Sequence, residues 1–134
     1  MHKFIFTLAV IAAMSVSFGA AAQQNNEMPD PMELAAKMAD QLERDLALDA
    51  GQVFKIDTLL QHAYALYYEE VEKLSKAGVS PTSGNYQRVS DKWGHYIDLG
   101  MEQIFTEEQW AKYLKTDAGR NKKRRDKRMA EDKY

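Results

Sequence analysis

The chain contains no cysteine among its 134 residues, and it has only three prolines and three histidines. Without cysteine there is no disulfide framework, no thiolate metal site and no cysteine nucleophile, so the fold must be held by packing alone. Beyond His2 the only imidazoles are His62 and His95, and no Gly-x-Ser-x-Gly stretch occurs. A Ser-His-acid triad therefore has no recognisable set of parts. Carboxylate neighbours such as Glu69 and Glu70 fall on the solvent side of a helical pattern and read as a charged face. A glycine-rich phosphate loop is also missing, which leaves no visible nucleotide-driven cycle. These absences argue against an enzyme and against any cofactor.

Long hydrophobic runs are missing too, apart from one at the start. Met1 to Lys3 form a short basic opening, Phe4 to Phe18 an apolar run without an acid, and Ala20-Ala21-Ala22 a small-residue pattern of the kind signal peptidase reads. About 15 apolar residues fall short of the roughly 20 that a spanning helix needs. The expectation is a secretory signal over 1–22, cleaved near Ala22, and export to the periplasm. Cleavage there leaves 112 residues, enough for one small domain with a modest core.

Charge is unevenly spread. From Gln23 to Leu114, 8 Lys and Arg oppose 16 Asp and Glu, whereas from Lys115 to Tyr134 the balance is 9 against 4. The body is acidic and the end is basic, most densely in "RNKKRRDKR" from Arg120 to Arg128.

What is present is helical periodicity. Residues 23–29 are polar and read as a disordered linker. Asp30-Pro31-Met32-Glu33 then supplies a cap, a proline at the first helical position and an acid in the first turn. Ala35, Met38, Ala39, Leu42 and Leu46 recur every three or four residues, which predicts a helix ending near Ala47 with one packed face. Asp49-Ala50-Gly51-Gln52 opens a second. Its seam of Val53, Ile56, Leu60, Ala63, Tyr67, Val71 and Leu74 is close to a heptad pattern and runs to a stop at Gly78. After the turn residues of "GVSPTSGN", Tyr86, Val89, Trp93, Tyr96, Ile97, Gly100 and Ile104 predict a third helix antiparallel to the second. The result is a helical hairpin.

Thr106-Glu107-Glu108-Gln109 interrupts that seam. Thr followed three residues later by Gln is a capping box, and the two acids sit where the helix dipole favours them. A fourth helix with Trp110, Tyr113 and Leu114 on its apolar face should begin here and fade into the basic end. The two cap stretches also match each other at a fixed offset of 57 residues. Leu48 aligns with Phe105, Asp49 with Thr106, Gln52 with Gln109, Val53 with Trp110 and Ile56 with Tyr113. Two independent capping boxes would produce the same pattern.

An apolar leader, an all-helical body and two such stretches flanking a long hairpin together resemble the Spy/CpxP family of periplasmic proteins, whose mark is a repeated "LTxxQ" motif. Phe105-Thr106-Glu107-Glu108-Gln109 matches with Phe in place of Leu. Leu48-Asp49-Ala50-Gly51-Gln52 has Asp where the family usually has Thr, and Asp caps equally well. The resemblance covers roughly 32–115. It implies an all-α, four-helix, cradle-like domain over 30–118 that forms a homodimer, with residues 119–134 as a basic tail. The implied role is an ATP-independent chaperone or envelope-stress factor that binds unfolded or partly folded clients. The alternatives are a structural or regulatory protein docking on one specific envelope partner, or a weak divalent-metal-binding stress protein. Seven methionines and seven tyrosines suit adaptable binding surfaces, though most would serve equally as core.

Two further groups stand out. Asp91, His95 and Asp98 fall at i, i+4 and i+7 on one side of the third helix, a set that a divalent ion could use weakly and that reads equally as a solvated polar face. Lys122, Lys123, Arg124, Arg125, Lys127 and Arg128 form a basic cluster for an anionic partner: an envelope surface, an acidic client or the acidic body of a second copy. A solvated, frayed helix end would look the same. Nucleic acid is a poor fit, because no aromatics are interleaved to stack on bases. With few apolar residues beyond Met129 and Ala130, this segment is expected to add little to the core.

Overall fold

A computed structural model describes residues 29–134, which form five α-helices and no strand. The secretory signal expected over 1–22, and all but the last residue of the linker expected over 23–29, lie outside the described residues. Among the described residues, no helix is long and apolar enough to cross a membrane.

α1 runs Pro31–Leu46, with the Asp30 carboxylate accepting from the Met32 N–H and Pro31 in the first turn. It stops at Ala47, whose left-handed backbone (φ 54°, ψ 51°) lets its own N–H and that of Leu48 reach the Glu43 carbonyl. α2 spans Ala50–Lys76 and buries Ile56, Leu60, Ala63, Tyr64, Tyr67 and Val71. Its 27 residues extend about 40 Å at about 1.5 Å per residue. Gly78, at φ 74°, turns the chain after it.

α3 covers Gly84–Ile104, starting two residues before the first apolar position of its seam because the Ser83 hydroxyl accepts from the Asn85 N–H. It lies along α2 in the opposite direction: Gln52 reaches Ile104, the His62 ring lies 5.8 Å from the Tyr96 ring, and Glu70 pairs with Lys92 at 2.5 Å. A Cβ on Gly100 would come within 2.6 Å of Leu59, so this glycine sets how closely the two helices approach.

The fourth helix departs from the expectation. α4 is confined to Glu107–Leu114 and does not fade into the basic end. A new cap, Thr116, accepts from the Gly119 N–H and starts α5 over Asp117–Glu131. Any side chain at Gly119 would collide with the Leu114 carbonyl, 2.1 Å from an added Cβ, so the elbow between the two helices needs glycine there. The segment expected as a tail outside the domain is thus mostly helix, and it packs against α3. Apolar periodicity does not reveal this, because the only side chain of the segment that becomes buried is Arg125.

The buried face of α3 also differs from its apolar seam. Tyr86, Ile97 and Met101 are buried as hydrophobics, but so are Ser90, Asp91, Gly94 and Asp98, while Tyr96 stays 40% exposed. The face is rotated toward α5. The main core lies between α1, α2 and α3, with Phe105, Trp110 and Tyr113 closing one end as a cluster of rings 5.5–6.4 Å apart.

Candidate functional site

The two cap stretches meet in space. In each, the cap oxygen accepts from the glutamine backbone N–H and the glutamine side chain accepts from the cap N–H, giving two complete capping boxes at Asp49/Gln52 and Thr106/Gln109. The two amides then bond to each other: Gln52 Nε2 donates to Gln109 Oε1 at 2.7 Å, and Gln109 Nε2 to Gln52 Oε1 at 3.3 Å. Each Nε2 also donates across to the end of the helix preceding the other cap. Gln52 reaches the Ile104 carbonyl at 3.1 Å and Gln109 the Leu46 carbonyl at 3.3 Å. Carbonyls at a helix C-terminus have no partner within their own helix, so one amide here caps two helix ends at once. The 57-residue offset therefore describes a pair of equivalent contacts in the fold.

A second polar arrangement fastens α5 to α3. Arg125 donates to both Asp98 oxygens, at 2.7–3.1 Å, with both side chains more than nine-tenths buried. Three residues on, Arg128 makes a bidentate pair with Asp91 at 2.9 Å from each nitrogen. Gly94, one turn from each aspartate, leaves the space the Arg125 side chain occupies; a Cβ there would lie 2.8 Å from Nε. Burial pushes the Asp98 carboxyl above the usual carboxylate range, and Arg125 offsets only part of that. At the far end Arg88 reaches Asp132 and lies 4.8 Å over the Tyr134 ring.

These pairs correct two expectations. Asp91 and Asp98 are not on a solvated face, and Asp91 is not part of a ligand set with His95. The side chains that do converge are His95, Asp98 and Asp126, each offering one atom within 4.8 Å of the others. Arg125 already holds Asp98, and Lys122 holds Asp126 at 2.5 Å, so a metal ion would have to displace two protein cations there. Of the six basic residues expected to face an anionic partner, Arg125 and Arg128 point inward to aspartates and Lys122 is paired on its own helix. Lys123, Arg124 and Lys127 remain exposed, and Arg120, paired with Asp117, joins them on the outward face of α5.

Between α1 and α5 lies a cleft of about 210 Å³. Met38 and Leu42 form one wall, Ala118 and Asn121 the other, and Leu60, Ile97 and Met101 the floor. Tyr64, Tyr113 and Arg125 add polar ends to this apolar lining. Burial raises the pKa of both phenols; Tyr113 raises that of Tyr64 further, and Asp98 that of Tyr113. No periodicity argument could have found this cleft, because it depends on α5 folding back.

No protein-family model matches this chain, and no curated protein or solved structure matches it.

Proposed function

We propose that this protein is a periplasmic, ATP-independent holding chaperone or envelope-stress factor of Spy/CpxP type, which forms a cradle-like homodimer and binds unfolded or partly folded proteins. The observation that carries the reading is the Gln52–Gln109 junction. It gives the two degenerate motifs, on which the resemblance rests, a shared structural purpose that two unrelated caps would not have. An all-helical body with an apolar cleft and a cationic outer stripe on α5 adds the mixed character that varied clients require. The stripe, and not the whole basic cluster, is the part suited to an anionic envelope surface. No catalytic step belongs to this reading.

Aggregation of several unrelated denatured proteins, followed by light scattering without ATP, tests the reading. Suppression of most at near-stoichiometric ratios is expected, and suppression of none overturns it. A second reading, docking on one specific envelope partner, draws on large side chains left in solvent, Phe54 at 72% and Leu99 at 49% exposure. Suppression confined to a single client would favour it.

A further inference from the structure

The outward side of α5 carries a row of cations that the packing of the fold does not use. Arg120, Lys123, Arg124 and Lys127 fall at i, i+3, i+4 and i+7, so they share one face of the helix, and all four are exposed. Arg125 and Arg128 point the other way, to the aspartates of α3. The row is about 10 Å long at about 1.5 Å per residue. Among the described residues Lys123, Arg124 and Lys127 have no carboxylate partner, and Arg120 has one in Asp117. No free acid dilutes the row, because Asp117, Asp126, Glu131 and Asp132 are each paired with a cation. At the elbow the Leu114 backbone lies against Gly119, one turn before Lys123 on the same side of α5. This brings Leu114, 40% exposed, to the head of the row together with the exposed Lys115.

We propose that this face of the α4–α5 elbow docks on an anionic phospholipid bilayer, with the cation row against the headgroup phosphates and the Leu114 side chain at the boundary with the acyl chains. The proposal rests on the envelope reading above and supplies it with a surface and its contact residues. The charge of the whole chain is arranged for such an encounter. Residues 23–114 carry eight more acids than bases, whereas 115–134 carry five more bases than acids. A negative plane therefore attracts α5 and turns the acidic body away. Each cation near an anionic leaflet strengthens binding by about fivefold. A few of them with one half-exposed leucine make a reversible contact and not an anchor. A second copy of the chain is the poorer occupant. Glu69, Glu70 and Glu72 of α2 already pair with Lys73, Lys92 and Lys76, so that helix offers the row no free glutamate. The main contacts of α5 are with α3 and α4, which leaves the row standing out from the body as a ridge suited to a plane.

The test is co-sedimentation of the mature chain, expected after cleavage near Ala22, with vesicles of phosphatidylglycerol and phosphatidylcholine in equal parts and with vesicles of phosphatidylcholine alone. Binding to the mixed vesicles only is expected, and it should disappear at about 1 M salt, where the screening length is about 3 Å. Lys123→Gln with Lys127→Gln removes two exposed, unpaired cations, so this double variant should melt as the wild type does while binding about 30-fold more weakly. Lys37→Gln with Lys55→Gln makes the same change in net charge on α1 and α2, away from the row, and should weaken binding by less than about twofold. Equal binding to both kinds of vesicle, binding that resists salt, or equal loss in the two double variants overturns the proposal. So does a dimer that dissociates on Lys123→Gln with Lys127→Gln while the mixed vesicles bind nothing, which would make the row an interface between copies. Aggregation suppression is read separately. Vesicle binding without suppression leaves the bilayer contact standing and removes the chaperone; suppression without vesicle binding keeps the chaperone and removes the contact.

Discussion

Two helices flank the central pair, and they are attached by opposite means. α1 lies on α2 through Leu34, Ala35, Ala39, Leu42 and Leu46 against residues such as Ile56, Leu60 and Ala63, an interface of interdigitated hydrocarbon. α5 lies on α3 through two bidentate arginine–aspartate pairs around a glycine. The first kind of contact is graded, because each lost methylene costs a little and neighbours relax into the gap. The second is close to all-or-none. Two charges taken out of water are tolerable together, and one left alone is not.

The comparison breaks most sharply at Arg125. Arg125→Ala leaves Asp98 buried without its cation and should cost about 3–5 kcal/mol, at or above the loss from Leu42→Ala on the apolar side. Deleting 119–134 removes both arginines and should destabilise the remainder further, contrary to what a solvated tail would predict. Replacing the pair together, as Arg125→Met with Asp98→Leu, should recover most of the loss. Urea unfolding of the four proteins measures all of this. Loss from Arg125→Ala below about 1 kcal/mol would place the pair among ordinary surface ion pairs.

The difference also explains what could be read in advance. Apolar periodicity located α1 and α2 within a residue or two, because hydrocarbon must face hydrocarbon and the spacing of Leu42, Leu46, Ile56 and Leu60 has one solution. Asp49, Gln52, Thr106 and Gln109 were legible as caps from local spacing alone. Their mutual bonding was not, since an offset of 57 residues carries no distance information. α5 was hidden for a physical reason. Its inward residues are charged, and the matching acids on α3 look like a solvated face until the arginines are in place. Asp91, Gly94 and Asp98 at i, i+3 and i+7, set against Arg125 and Arg128 at i and i+3, was the available signal. A charge-matching search would find it where a hydrophobicity scan does not.

Tyrosines distribute across both regions and sharpen the comparison through pH. Tyr64, Tyr67 and Tyr113 are held above the ordinary phenol value near 10.0 because burial disfavours the phenolate. Below that value both folded and unfolded chains carry neutral phenols and no stability is lost. Above it the unfolded chain ionises first, so stability falls as pH rises, by about 1.4 kcal/mol per pH unit for each tyrosine. Urea midpoints should hold steady up to about pH 9.5 and drop steeply by pH 11, with the phenolate absorbance rising together with unfolding. Phenolate appearing near pH 10 in a chain that is still helical would mean these rings are open to solvent.

The glutamine junction belongs to neither kind of interface, and Gln109→Glu tests it apart from its cap. Glutamate at this position still accepts from the Thr106 N–H, so the capping box survives. The donors to the Leu46 carbonyl and to Gln52 are lost. Two neutral hydrogen bonds and their unmet partners come to about 2 kcal/mol. Gln109→Glu matching wild type in thermal unfolding would mean the junction adds nothing beyond capping.

The smallest effect is at Thr106, where only one local bond is at stake. Its hydroxyl accepts from the Gln109 N–H at 3.2 Å, and Asp49 does the same for Gln52 at 2.7 Å with a carboxylate. Thr106→Ala should cost about 1 kcal/mol and shift the melting midpoint by a few degrees. Thr106→Asp should cost little, because the acid places its charge at the positive end of α4 as Asp49 does on α2. Asp49→Thr makes the converse substitution and should also be tolerated. If alanine and aspartate at 106 lose stability equally, the hydroxyl is not the group that starts α4, and the equivalence of the two motifs would then rest on their glutamines alone.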